Sequence, residues 1–211
     1  METELDRLVT VMARLRGPGG CLWDAEQTHA SLVRYLIEET AELVEAIETG
    51  DPVAMREELG DVLYQVLFHA DLAAATEGEG FGIEDVARDT AAKMVGRHPH
   101  VFGDQEAADA DAVVEVWEAQ KRLEKADRTS VLDGVPMQMP SLLLAEKLLG
   151  RAGRAGVRVE PSVEVPGDEE ALGEALLETV AAASARGLDA ERALRAALRR
   201  LETRIRAAES P

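Results

Sequence analysis

A single cysteine, Cys21, leaves this 211-residue chain no internal disulfide, and a reducing cytoplasm is the expected setting. Phe, Trp and Tyr make up only 3% of the residues, and runs rich in β-branched residues are few. Sandwiches and barrels need such runs, so the composition points instead to helices packed on helices. No apolar stretch approaches the length of a membrane span, and the opening Met-Glu-Thr-Glu-Leu-Asp is too acidic for a secretory leader. Positive charge is also short: 23 Lys and Arg face 41 Asp and Glu, for a net charge of −18. With no basic stripe read in the sequence to offset it, neither a nucleic-acid polymer nor an anionic membrane surface is an expected partner. A chain this acidic can handle phosphates only through metal ions and a local group of Lys and Arg.

The apolar pattern has a helical period. Thr3 is an N-cap for a helix to about Leu15, which Gly17-Pro18-Gly19-Gly20 stops and which reads as a hinge. A loop from Cys21 to Thr28 leads to a helix over about His29 to Glu48, with Leu32, Tyr35, Leu36, Leu43, Ala46 and Ile47 on its apolar stripe. Gly50 ends it, and Asp51-Pro52 starts a long helix reaching about Thr76. Met55, Leu59, Val62, Leu63, Val66, Leu67 and Ala70 are its expected core face. The short turn makes the two helices antiparallel neighbours. Further helices are expected over about 83–96, 109–125, 142–149, 169–186 and 189–208, with a loop over 97–104. The breakers Asp133-Gly134-Val135-Pro136 and Pro140 suggest a first domain over 1–125, a linker over 126–140 and a helical segment over 141–211.

Four carboxylates interrupt this pattern. Glu39 and Glu42 on one helix, Glu58 and Asp61 on the next, lie on or beside apolar stripes, each pair three residues apart and so on one face. Carboxylates placed that way are costly unless something positive compensates them, and a hard divalent cation does so most directly. Glu38 is positioned to assist. Glu45, Glu48 and Glu57 read as ordinary solvated helix surface. Lys93 and Arg97, four apart, and Lys121 could receive phosphate oxygens, or could simply be surface charges. Trp117 lies one turn before Lys121 and could stack on a base or belong to the core. His98 and His100 flank Pro99 and read as a structural loop.

These residues together resemble the MazG nucleoside triphosphate pyrophosphohydrolases. The signature is Glu38-Glu39-Thr40-Ala41-Glu42 followed by Glu58-Leu59-Gly60-Asp61. Around it stand Cys21-x-Trp23-Asp24-x-x-Gln27-Thr28, Phe68-His69-Ala70, Arg97-His98-Pro99-His100-Val101-Phe102, and the late pair Trp117 and Lys121. Leu22 stands where the family usually has proline. The resemblance covers about 1–125. Beyond it, Leu132 to Pro136 and Ala145 to Leu148 look like the start of a second repeat, and 172–177 through 193–195 like its later helices. There Ala171 stands at a ligand position and Glu174 replaces the Asp, so the repeat reads as truncated and non-catalytic.

The resemblance implies an all-α MazG-like bundle that hydrolyses nucleoside triphosphates to monophosphate and pyrophosphate. It implies Mg²⁺, with Mn²⁺ as the alternative, held by Glu39, Glu42, Glu58 and Asp61 with Glu38 assisting, and phosphate contacts from Lys93, Arg97 and Lys121, with Trp117 near the base or sugar. A homodimer or higher homo-oligomer is expected, because so short a bundle leaves an apolar face uncovered. The competing expectation is an inactive helical scaffold or regulatory module. A ferritin-like di-iron site fits poorly, since the only Glu-x-x-His spacing is Glu26 to His29 at a loop.

Overall fold

The computed structural model describes residues 2–124, 128–162 and 164–209; Lys125, the expected end of the first domain, lies outside them. Among the described residues every regular element is helical, so the expected all-α class holds. The chain divides into two compact units, residues 1–121 and 122–211.

In the first unit, α1 (Glu4–Arg16) begins on a capping box in which Thr3 and Asp6 satisfy each other's backbone N–H groups. The glycine turn after it is a packed corner and not the expected hinge. Cys21 N–H donates to Leu15 O at 2.7 Å, and a Cβ on Gly20 would lie 2.2 Å from that same oxygen. The segment expected to be a loop contains a five-residue helix, α2 (Leu22–Glu26). Its Asp24 is buried and hydrogen-bonds Tyr64, a tie between residues too far apart in sequence to be visible there.

Two long helices dominate the unit. α3 (His29–Thr49) starts on a Thr28–Ser31 capping box and ends at Gly50, whose φ of 69° suits a residue without a side chain. α4 (Pro52–Ala75) follows at once, capped by the Asp51 carboxylate. Leu32 of α3 and Leu67, Phe68 and Leu72 of α4 close over Met12 of α1 to form the core. α5 (Ile83–Arg97), a single helical turn α6 (Pro99–Phe102) within the expected loop, and α7 (Ala110–Leu123) complete the run.

The expected core face of α4 is only half correct. Leu67 and Ala70 are buried, whereas Met55, Leu59, Leu63 and Val66 are exposed, as are Ile37 and Ile47 of α3. Periodicity identified residues sharing a face; α1 and α2 pack against the far half of the α3/α4 pair and leave this half uncovered.

In the second unit, α8 (Ser141–Ala152) and α9 (Glu169–Ala185) precede α10 (Ala190–Glu209). Leu144 and Leu148 pack on Leu198, Leu201 and Ile205, together with Leu132 and Val135 from the breaker segment. That segment is anchored: the Asp133 carboxylate accepts from the Thr129 and Ser130 N–H groups at 3.0 Å each, and Glu209 accepts from Ser130 Oγ and Val131 N–H at 2.6 Å each. α9 buries no residue, and its Leu172, Leu176 and Val180 are exposed. On α10, Arg192, Arg195, Arg199 and Arg206 share a face, so the sequence reading overlooked one basic stripe. Asp189, Glu191 and Glu202 pair with Arg192, Arg195 and Arg206 respectively, which largely neutralises it.

Candidate active site

The antiparallel arrangement of α3 and α4 turns two sequence pairs into one cluster. Glu39, Glu58 and Asp61 each place a carboxylate oxygen within 4.8 Å of the others. Glu39 and Glu58 are half-buried and Asp61 is exposed. Glu42 stands outside this trio, but its carboxyl is in hydrogen-bond reach of Glu58. Two ionised carboxylates have only acceptors to offer each other, so such an approach needs a proton or a cation between them.

The electrostatics follow. Burial raises Glu39 above the ordinary carboxylate value, and the charges of Asp61, Glu42, Glu38 and Glu58 raise it further. Burial likewise raises Glu58, with Glu42, Asp61 and Glu57 adding to it. Glu58 Oε2 is buried with no hydrogen-bond partner. Converging hard oxygen donors with an orphaned oxygen among them are the donor set of a hard divalent cation. The residues present therefore fit a metal ion.

The expected phosphate-binding residues gather separately within the same unit. Arg97 is buried, its guanidinium carbon 5.3 Å from the Trp117 ring centre, while Lys121 Nζ lies 4.2 Å from that centre. The half-buried indole thus carries two cations, with Lys121 also 3.4 Å from Glu118. Lys93 stands exposed one turn before Arg97. Glu38 is exposed on α3 beside Glu39. His98 Nδ1 meets Met94 O at 2.6 Å, finishing α5, and its ring stands 5.5 Å from that of His100.

Three ties elsewhere in this unit escaped the sequence. Arg16 lies over Phe68 at 5.4 Å and 3.3 Å from Asp71; Asp24 meets Tyr64; and His29 meets His69. Their only signal in the sequence is polar residues inside otherwise apolar stretches.

A family model described as the MazG nucleotide pyrophosphohydrolase domain matches residues 27–102, which span α3, α4, α5 and α6 and therefore all four clustered carboxylates. A Streptomyces cacaoi protein, described as an uncharacterized 26.1 kDa protein in the blaB 3' region, is 49% identical over 202 residues, covering 96% of this chain and 81% of its own length. The nucleoside triphosphate pyrophosphohydrolase of Escherichia coli K12 is 36% identical over 231 aligned positions, 98% of this chain and 87% of that protein. The Mycobacterium tuberculosis protein of the same name is 40% identical over 201, 95% of this chain and 57% of that one. With its carboxylate cluster inside the matched helices and nearly all of its length aligned to the Streptomyces cacaoi and Escherichia coli proteins, the chain belongs to the MazG nucleotide pyrophosphohydrolase family.

Proposed function

We infer that this chain is a nucleoside triphosphate pyrophosphohydrolase, yielding a nucleoside monophosphate and pyrophosphate, and that its carboxylate cluster works with Mg²⁺ or, alternatively, Mn²⁺. The observation that carries this is the convergence of Glu39, Glu58 and Asp61 within 4.8 Å across two helices, with Glu42 against Glu58. The names of the Escherichia coli and Mycobacterium tuberculosis relatives support the reaction class.

Bound there, a divalent ion would neutralise charge at the α-phosphoryl group and acidify an attacking water. Glu39, Glu42, Glu58 and Asp61 would hold it. Glu38 would orient the water and take its proton. Water oxygen adds to the α-phosphorus, the bond to the α–β bridging oxygen breaks, and pyrophosphate leaves with that electron pair. Lys93, Arg97 and Lys121 would bind the phosphate oxygens, which positions the chain for in-line attack and offsets charge on the leaving group. Trp117 would hold Arg97 and Lys121 in place, and no covalent nucleophile is required. The lone thiol fits a reducing cytoplasm.

Two further assignments accompany this. Residues 141–211 form a non-catalytic second repeat, lacking a carboxylate where Ala171 stands. The functional unit is a homodimer or larger homo-oligomer built on the exposed Ile37, Leu59, Leu63 and Val66 face. Gly60 supports this: an interior helical glycine costs about 0.5–1 kcal/mol relative to alanine, yet among the described residues nothing beyond its chain neighbours and its own helix backbone comes within 4 Å of where its Cβ would be. A second chain approaching there would explain it. Turnover of a triphosphate panel with and without Mg²⁺ tests the reaction, and its absence for every triphosphate would favour the scaffold alternative.

A further inference from the structure

His29 opens α3 and His69 lies in the second half of α4, forty residues away in sequence. Their Nδ1 atoms are 2.6 Å apart, with the ring centres 4.9 Å apart and the planes 7° from parallel, so the rings meet edge to edge. Only one proton fits between two ring nitrogens at that distance. On the far side, His29 Nε2 meets the Glu79 carboxylate at 3.0 Å. His69 Nε2 is buried with no partner. Burial first, and His29 second, holds His69 below the ordinary histidine value. Arg16 of α1, over the ring of Phe68 next to His69 in sequence, pairs with Asp71 of α4 at 3.3 Å.

The placement of this pair gives it a role. α3 and α4 are joined at one end by the turn at Gly50, and their contacts mirror one another about that turn: Glu39 meets Glu58 and Asp61, Leu32 meets Leu67 and Phe68, and His29 meets His69. His29 is ten residues from Glu39 along α3, about 15 Å at helical rise. The histidines therefore lie at the open end of the helix pair, with the carboxylates between them and the turn. Apolar packing of Leu32 with Leu67 and Phe68 already holds the helices together near this end, and a directional hydrogen bond beside it adds a contact that favours one register over its neighbours.

We propose that His29 and His69 form a one-proton clasp that sets the α3–α4 register, making them positioning residues for the cation held by Glu39, Glu58 and Asp61. The proposal rests on the metal reading above. Because the clasp tolerates one shared proton and not two charges, it opens when both rings are protonated, and cation affinity then falls for a reason separate from carboxylate protonation.

The test is Mn²⁺ binding by electron paramagnetic resonance on the full-length chain, from pH 8 to pH 5, with far-UV circular dichroism alongside. His69→Leu should retain its helical signal and bind Mn²⁺ about 5–10-fold more weakly at pH 8, whereas His69→Gln, which keeps a hydrogen bond without a titrating ring, should recover most of that affinity. Below pH 6.5 the wild-type affinity should fall more steeply than that of His69→Gln. A folded His69→Leu with wild-type affinity, or identical pH profiles for wild type and His69→Gln, would overturn the clasp while leaving the metal site standing. No Mn²⁺ binding by the wild type at any pH would overturn both. If His69→Leu does not fold, the pH comparison with His69→Gln decides.

Discussion

Arg97 is buried against Trp117, its guanidinium carbon 5.3 Å from the ring centre, so the end of α5 is tied to α7 through a cation and an indole. Lys121 approaches the same ring to 4.2 Å. The proposed phosphate-binding role of Arg97 and Lys121 therefore makes Trp117 a holder for both cations. Such contacts contribute about 0.5–2 kcal/mol. Trp117→Leu should therefore raise KM for a triphosphate about 3–20-fold with a smaller effect on kcat, and Trp117→Phe should retain most of the affinity. Steady-state pyrophosphate release measures both. An unchanged KM in Trp117→Leu would remove the ring from substrate binding.

The cluster should trade stability for function. Glu58 is held above its ordinary value by burial and by Glu42 and Asp61, and its Oε2 has no partner. Glu58→Gln removes one of the repelling charges. In chelator at pH 8 the variant should melt higher than wild type, and it should lose the stabilisation that Mg²⁺ gives the wild type. Differential scanning calorimetry with chelator and with excess Mg²⁺ checks both signs.

The same shifts set a pH window. A carboxylate raised in the fold holds its proton more tightly there than in the unfolded chain. The metal-free fold therefore gains stability from Glu39 and Glu58 as pH falls toward the ordinary value of 4.5. Cation binding needs the ionised forms, so affinity falls over that window. The Mg²⁺-induced rise in melting temperature should shrink steadily between pH 8 and pH 5. His69 pulls the other way, costing the metal-free fold stability below about pH 6.5, and through the proposed clasp it also weakens cation binding there, so the same series in His69→Gln isolates the carboxylates.

How far these features could be read in advance depended on whether they are local. Thr3, Asp51 and Gly50 set helix ends through contacts within a few residues, and the sequence showed them, whereas the Thr28–Ser31 capping box came only with the structure. The carboxylate pairs were legible for the same reason, since three-residue spacing fixes a shared face. Which oxygens converge depends on the α3–α4 register, and the structure brings Glu39, Glu58 and Asp61 together with Glu42 at the edge. α2 was missed because its five residues are held by buried Asp24 reaching Tyr64. Leu59 and Leu63 were assigned to the core because periodicity reports a face without reporting its cover.

That uncovered face gives a test of assembly. Leu59→Asp, at a half-exposed position, should leave the helical signal intact and shift the chain to monomer in light scattering. Gly60→Ala should raise helix stability by about 0.5–1 kcal/mol and yet weaken association, since its methyl occupies the space proposed for a second chain. A monomeric wild type would refute the assembly proposal.

The second unit should be dispensable for chemistry. Leu148 is fully buried in its core, and Leu148→Ala should cost about 2–5 kcal/mol there. At a temperature where that unit still folds, kcat/KM should stay within about twofold of wild type. A large loss would place part of the active site in 122–211.

The most direct measurement follows the products from a nucleoside triphosphate by ³¹P NMR, with Mg²⁺ and with chelator, in wild type and Glu42→Gln. The account predicts nucleoside monophosphate and pyrophosphate from the wild type only with Mg²⁺, and at least a hundredfold slower release from a fully helical Glu42→Gln. Diphosphate and inorganic phosphate as products, or undiminished turnover in chelator, would contradict it.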